Sequence, residues 1–410
     1  MTHRYLINIV GFALLLFNQS ARSAEVTDFN LQLSTREGVS RDGGYALAEY
    51  RAQVKGSWIP AVAWRVKAKA GIVTERRLDN SPYTEAPIDE LYVSYQGEPC
   101  TVRAGIQQVV WGRADRLQVL DVIHPMDLRE SYFGDWDRKR LPLGMLNTEC
   151  VVESQSLQLL LVPQTRYDRM SSTHGRFAVP AVADNLRAQN VHIQDDGKPN
   201  AGDPNNWSGG AQWSGRLGDA DVTLNAYRGW QPEPVLRPIG LAYRSEAARF
   251  TMWGGSFTLP VGSIVVRGDG AIRHGMTAYT SDTAGQPQPL FVKQRTHLLG
   301  VDYQNEPWFF SVQYFGQQTL SDEQLLVPKR EQKMTVAVRR SLLQDRLHLT
   351  GYIARDLDRP ATYLSLESRY EINSHLQGRL SIECFNGNVN SFGRFSQQGR
   401  VMFGLEYNFR

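Results

Sequence analysis

The sequence predicts an all-β chain that closes into a transmembrane antiparallel β-barrel of about eighteen strands, with sixteen as the nearest alternative. Three observations predict it. Period-two alternation of apolar and polar residues recurs from the N-terminal region to the end of the chain. Many alternating segments run to about ten residues, the length a tilted strand needs to cross a bilayer. The connections between them alternate between short and long.

The first element is a leader. Met1–Arg4 is short and basic, residues 6–17 are apolar except for Asn8 and Gly11, and Ala21-Arg22-Ser23 supplies small residues where a signal peptidase cuts. Residues 1–23 therefore read as a secretory signal peptide, because the apolar run falls short of the ~20 residues of a spanning helix. Residues 24–410 remain for the barrel. No later stretch could cross a bilayer as a helix, so a membrane location demands closure, since lipid cannot satisfy open backbone groups.

The strands come next. Ala46, Ala48, Tyr50, Ala52 and Val54 alternate with Leu47, Glu49, Arg51, Gln53 and Lys55. Trp64, Val66, Ala68 and Ala70 alternate with Arg65, Lys67 and Lys69. Val222, Leu224 and Ala226, then Phe310, Val312 and Tyr314, then Gly378, Leu380 and Ile382 repeat the pattern. A soluble sandwich alternates too, but its strands average nearer five or six residues. Aromatic residues sit near the strand ends, among them Trp58, Tyr95, Trp213, Trp230, Trp253, Trp308 and Tyr407, as interfacial girdles require.

Short turns are expected at 56–57, 97–99, 153–155, 218–219, 260–262, 305–307, 342–345 and 373–374. Long connections are expected at 73–87, 107–146, 164–210, 274–292 and 317–330. Short periplasmic turns and long outer loops are the barrel pattern, with both chain ends on the periplasmic side. The last strand alternates through Val401, Phe403, Leu405, Tyr407 and Phe409 before Arg410. It resembles the terminal strand that barrel-assembly machinery reads.

Charge and cysteine content exclude other classes. The net charge of +3 falls to about +1 when Arg4 and Arg22 leave with the leader, which is no nucleic-acid signature. Cys100, Cys150 and Cys384 are too few for a disulfide framework. They read as buried or lipid-facing thiols, with a Cys100–Cys150 bridge as the alternative.

Two places could shape a passage. The lumen face should carry Arg51, Arg65, Lys67, Lys69, Arg103, Arg339, Arg369 and Arg379, with fewer carboxylates, and rings of bases favour anions in a water-filled pore. The same charges could instead pair across strands and only hydrate the wall. Residues 107–146 form a connection too polar for lipid and too apolar for water. Folding inward as a constriction or plug satisfies both constraints, with Trp111, Arg113, Asp115, Arg116, Asp121 and Asp127 shaping the narrows. Packing on the outer rim is the competing placement. Residues 164–210 should form a long extracellular loop.

At this segment the chain resembles a known family. Gly105-x-Gln107-x-x-x-Trp111-Gly112-x-x-Asp115, then Leu120-Asp121-x-x-x-Pro125-x-Asp127-x-Arg129-Glu130, is similar to a proteobacterial outer-membrane family known only as a domain of unknown function. Residues 141–149 and 157–163 continue the likeness. The resemblance implies a barrel, an envelope location, and transport of hydrophobic or organic solutes. It assigns no catalytic residue.

Asp195, Asp196 and Asp203 cluster with Asn and Gly as Ca²⁺ ligands do, but not at EF-hand spacing. These residues are also ordinary turn formers. Enzymatic signals are weak: the close pairs are His348 with Thr350 and Ser374 with His375, and no cofactor motif is present. The expected protein is an outer-membrane channel passing small, anionic or organic solutes, in contact with outer-membrane lipid and lipopolysaccharide. The alternatives are a closed, ligand-binding barrel that handles hydrophobic solutes or serves as an envelope structural partner, and more distantly a lipid-modifying barrel enzyme.

Overall fold

The computed structural model describes residues 25–409 apart from 42, 78–82, 131–135, 172–174, 180–181 and 196. The leader expected over residues 1–23 lies outside the described residues, as does Asp196. The chain forms strands β1 (Glu25–Ser40), β2 (Tyr45–Ala61), β3 (Trp64–Arg77), β4 (Tyr83–Glu85, resuming as Ile88–Gln96), β5 (Cys100–Gln107) and β6 (Leu143–Val152). Next come β7 (Gln155–Val162), β8 (Ser208–Leu217), β9 (Ala220–Trp230), β10 (Arg249–Val261), β11 (Ile264–Ser281) and β12 (Pro287–Asn305). The last six are β13 (Trp308–Leu320), β14 (Arg330–Leu342), β15 (Leu347–Asp356), β16 (Ala361–Glu371), β17 (Leu376–Gly387) and β18 (Arg400–Phe409).

Each strand pairs antiparallel with its neighbours, and β1 meets β18 from Leu31↔Phe409 to Ser40↔Arg400. The sheet is thus closed and has no edge, the condition lipid imposes. Eighteen strands, not sixteen, complete the wall. Tight turns such as 153–154, 218–219 and 262–263 gather at one end with both chain ends, and the long connections gather at the other.

The alternation sorts the residues as two solvents would. Leu224, Val312 and Leu380 are 62%, 41% and 47% exposed, and Ala68 is exposed beside them. They face outward into lipid rather than packing together. At the tight-turn end, Trp64 and Tyr95 sit 5.0 Å apart and Tyr407 and Phe409 4.5 Å apart, as in an interfacial girdle.

Three expectations differ from the observed fold. The turn expected at Gly56-Ser57 lies inside β2, where Gly56 pairs with Phe29, and the chain turns at 62–63 instead. The long loop expected at 274–292 is mostly strand: β11 and β12 rise together to Ser281 and Pro287. They continue past the membrane because a second layer packs on them. The Leu236 amide donates to Tyr279 Oη at 2.9 Å, and Tyr243 Oη donates to the Pro287 carbonyl at 3.0 Å. Cys100 and Cys150 are bonded to each other, not free. They stand directly opposite in the β5–β6 register, so strand pairing brings together two thiols fifty residues apart in sequence. Cys384 is a free, exposed thiol.

A barrel has no ordinary core. The dry centre here lies inside the wall, where the 108–142 connection packs against the strands.

Candidate functional site

The connection after β5 turns into the lumen. Its first half is anchored by apolar burial: Val109, Trp111, Val119, Leu120 and Ile123 form one dry cluster with Met145, Leu160, Tyr227, Met252, Leu298 and Phe315 of the wall. Val119 and Leu120 are fully buried. Two glycines permit the approach. A Cβ on Gly254 would stand 2.4 Å from Leu120 Cδ2, and one on Gly112, which has φ +93°, would stand 2.8 Å from Asp269 Oδ2.

Polar contacts then fix the register. Trp111 Nε1 donates to Gln158 Oε1 at 2.8 Å. Asp269 on β11 accepts from the amides of Arg113 and Ala114 at 2.8 and 3.0 Å. Arg267 bonds the Arg113 carbonyl and pairs with both Asp115 and Asp302. The Arg116 guanidinium lies 4.6 Å over the Tyr352 ring on β15. The segment therefore reaches from β5 across the lumen towards β15, with the side chains of Arg113 and Asp115 exposed at its edge.

The second half is held by charge. Asp121 pairs with Arg140 at 2.7 Å and joins the two halves; burial pushes its carboxyl up from the ordinary value against the pull of that arginine. His124 accepts from the Val109 amide at 2.8 Å and meets the Leu141 carbonyl at 3.0 Å. Burial holds it neutral, with a pKa lowered to about 4. Asp127–Leu128 runs parallel to Arg169–Met170 of the 163–207 connection. Asp168 accepts from the Met126 amide at 2.7 Å, and burial raises its pKa to about 7. Arg129 bonds Asp127, Glu85 and Tyr83. Arg138 reaches Glu49 on β2 at 3.5 Å, and Glu130 reaches Arg400 on β18 at 3.3 Å.

Between this half and the β1–β4 wall a cavity of about 150 Å³ remains. The wall contributes Arg36, Glu49, Arg51, Glu75, Glu85 and Asp89. The loop contributes Asp127, Arg129, Glu130, Arg138, Lys139 and Arg140, and the neighbouring connection adds Arg166 and Arg169. Bases outnumber carboxylates by eight to six. Burial lowers the Lys139 pKa to about 8, opposed by Glu130 and Glu383 and reinforced by Arg400.

Residues 74–368 match the family described as "Protein of unknown function (DUF1302)". The chain belongs to that family. No curated protein matches the sequence. Among solved structures, this family member is similar to OccD3 (OpdP) of Pseudomonas aeruginosa, with TM-score 0.53 and 10% identity over 95% of this chain and 93% of that one. It is also similar to OccAB1 of Acinetobacter baumannii, with TM-score 0.53 and 8% identity over 96% and 99%. OpdK of Pseudomonas aeruginosa gives 0.51 and 10% over 93% and 98%. The shared fold is the Gram-negative outer-membrane barrel.

The residues singled out in the sequence fall into separate groups. Trp111 and Asp121 are buried supports of the loop, Arg113, Asp115 and Arg116 form its crossing edge, and Asp127 lines the cavity. Of the eight lumen bases, Arg51 alone borders that cavity. The others lie elsewhere on the wall, mostly paired: Lys67 with Glu90 at 2.7 Å, Lys69 with Asp89 at 3.9 Å, Arg103 with Glu149 at 3.8 Å. Glu367 takes both Arg369 and Arg379. Arg339 stacks 3.9 Å over Phe309. Arg65 is exposed.

Asp195 accepts from the Gly197 amide and Asp203 caps the short helix Pro204–Asn206, so both carboxylates serve turns. Among the described residues no group of three or more His, Cys, Asp or Glu is placed to hold a metal ion. His348 meets Ser341 at 3.1 Å rather than Thr350, and His375 meets the Asn408 carbonyl at 3.0 Å.

Sequence reasoning missed Arg36, Glu75, Arg138, Lys139 and Arg169 as cavity residues; it placed Glu49 on the polar face of its strand and Arg129 in the charged connection without bringing the two together. Glu49 had a legible signal, its place in the β2 alternation. Which wall the loop bases meet had none, because the side of the lumen to which the loop leans is set by Gly254 and the wall it packs on.

Proposed function

We propose that this protein is a narrow outer-membrane channel that passes small hydrophilic solutes between the 108–142 loop and the β1–β4 wall, favouring anions. One observation carries the reading. The first half of the loop packs Val109, Trp111, Val119, Leu120 and Ile123 on the β6–β13 wall, and the second half turns Asp127, Arg129, Glu130, Arg138, Lys139 and Arg140, with a basic excess, towards the remaining space. A site for an apolar solute would need the reverse, an open surface lined by hydrophobic and aromatic groups. Bases at a constriction raise the local concentration of anions and lower their barrier to entry.

The preference is modest because most lumen bases already have carboxylate partners. Passage of a small organic anion, steered by Arg138 and Lys139 beside the less strongly held carboxylates, fits that balance. A hydrolytic role draws little support. Among the described residues, the Ser341–His348 pair has no carboxylate bonded to the second ring nitrogen, the orienting group such catalysis needs.

Purified protein in planar bilayers tests the proposal. The expected outcome is small, steady single-channel currents whose reversal potential in a salt gradient lies on the anion side. Absence of conductance would overturn the channel reading in favour of a closed barrel. A cation-side potential would overturn the anion preference alone.

A further inference from the structure

The outward face of the barrel is not uniform at its outer rim. Across β9–β12 the register sets Arg228 opposite Thr251, Thr251 opposite His274, and His274 opposite Lys293. Arg295 lies two residues along β12 on the same face, and Arg249 pairs with Trp230 at the top of β10. Arg228, His274, Lys293 and Arg295 are exposed. None of these bases has a carboxylate within 4.0 Å among the described residues. Arg249 meets the backbone carbonyls of Asn205 and Trp207 and the Trp230 ring at 4.0 Å.

Bases on adjacent strands repel one another, a destabilising arrangement unless an anion lies between them. Beneath Arg228, Thr251 and His274 the next outward positions are apolar, Ala226, Trp253 and Ile272, and on β12 Leu299 follows below Arg295 and His297; Trp253 is 60% exposed. Among the described residues, the β1–β18 side of the barrel lacks this arrangement. There the outer rim carries Val39 beside Val401, and Glu37 bonded by Tyr50 Oη at 2.6 Å.

We propose that the β9–β12 face seats the phosphorylated headgroup of an outer-leaflet glycolipid. Its phosphates lie among Arg228, Arg249, Lys293 and Arg295, and its acyl chains lie along the apolar band below. Charge complementarity selects the occupant. A zwitterionic lipid leaves the excess cations uncompensated, and a soluble anion gains nothing from the exposed Trp253 and Leu299. Charge-assisted bonds from arginine to phosphate are the strong class of such contacts.

The test uses the full-length protein in detergent, incubated with diphosphoryl lipid A, with its dephosphorylated form, or with inorganic phosphate, and read by native mass spectrometry. The wild type is expected to retain diphosphoryl lipid A at least roughly tenfold better than the dephosphorylated form, as expected for bases that attract anionic headgroups. The double variant Lys293→Gln/Arg295→Gln should lose most of that retention. Arg355→Gln, at the outer end of β15, should keep it, and channel conductance should be unchanged in both. Equal retention of the two lipid forms, or equal retention by wild type and double variant, would overturn the proposal. So would displacement of bound lipid by millimolar inorganic phosphate. Because these changes lie on the lipid side, failure here leaves the channel reading standing, and the reverse also holds.

Discussion

The two halves of the 108–142 loop leave the same pair of strands and are held in opposite ways. Residues 109–123 bury Trp111, Val119, Leu120 and Ile123 against the wall and exclude water. Residues 127–130 and 138–140 line the cavity with Asp127, Arg129, Arg138 and the buried Lys139, and are tied to the wall by charge, Arg129 to Glu85, Arg138 to Glu49 and Glu130 to Arg400. Apolar packing is close-fitting and intolerant of lost volume. Charge pairs in a wet lumen are individually weak and easily rearranged. The first half should therefore decide whether the passage is narrow, and the second which solutes prefer it.

The largest expected effect comes from removing the packed half. Replacing residues 112–122 by a short Gly-Ser link deletes the lumen crossing while β5 and β6 keep their register. Single-channel conductance should rise severalfold, and unchanged conductance would mean that the loop does not narrow the path. A smaller change loosens the loop without removing it. Leu120→Ala empties a fully buried site against Met252 and Gly254, at a cost of about 3 kcal/mol to local packing. Brief openings and current noise should increase while mean selectivity holds.

Much of this organisation is legible in the sequence, for a physical reason. Lipid outside and water inside force period-two alternation on every strand, so Ala68, Leu224, Val312 and Leu380 declare their face locally. The apolar run around Leu120 inside a charged connection likewise signals a loop that needs a wall. Features set by distant partners were not legible. Residues 274–292 read as a loop because they are polar, yet Tyr279 and Pro287 are held as strand by the hairpin that includes Leu236 and Tyr243. Gly56 reads as a turn and is a strand residue, because β1 continues beside it. The Cys100–Cys150 bond depends on a register no local pattern encodes. The cavity wall at Arg36, Glu75 and Arg138 depends on the direction in which the loop leans.

His124 ties the two halves together and makes the dry side sensitive to pH. Its pKa of about 4 lies below the free value near 6.5, so an unfolded loop binds the proton more readily. The loop's stability is complete above pH 6.5 and falls as pH drops from there to about 4, by up to ~3 kcal/mol. Conductance recorded from pH 7 to pH 4 should become noisy below about pH 5. His124→Gln can still accept from Val109 and donate to Leu141 but cannot titrate, so its trace should remain quiet. Noise that persists in this variant would place the acid response elsewhere.

The smallest effect belongs to the wet side and is the sharpest test of its separate role. Lys139 is buried next to Glu130, Glu383 and Arg400, with its pKa lowered to about 8. It is mainly protonated at pH 7 and mainly neutral at pH 9, so the eight-to-six basic excess of the cavity shrinks by one charge over that interval. The anion-to-cation permeability ratio should fall by roughly twofold, a change suited to one charge among many in a screened lumen. Lys139→Met should show the high-pH ratio already at pH 7 and respond little to further alkalinisation. Neither change should alter the noise that reports on Leu120 and His124. If Lys139→Met instead loosened the loop, the charged half would be part of the anchor, and the division of labour between the two halves would fail.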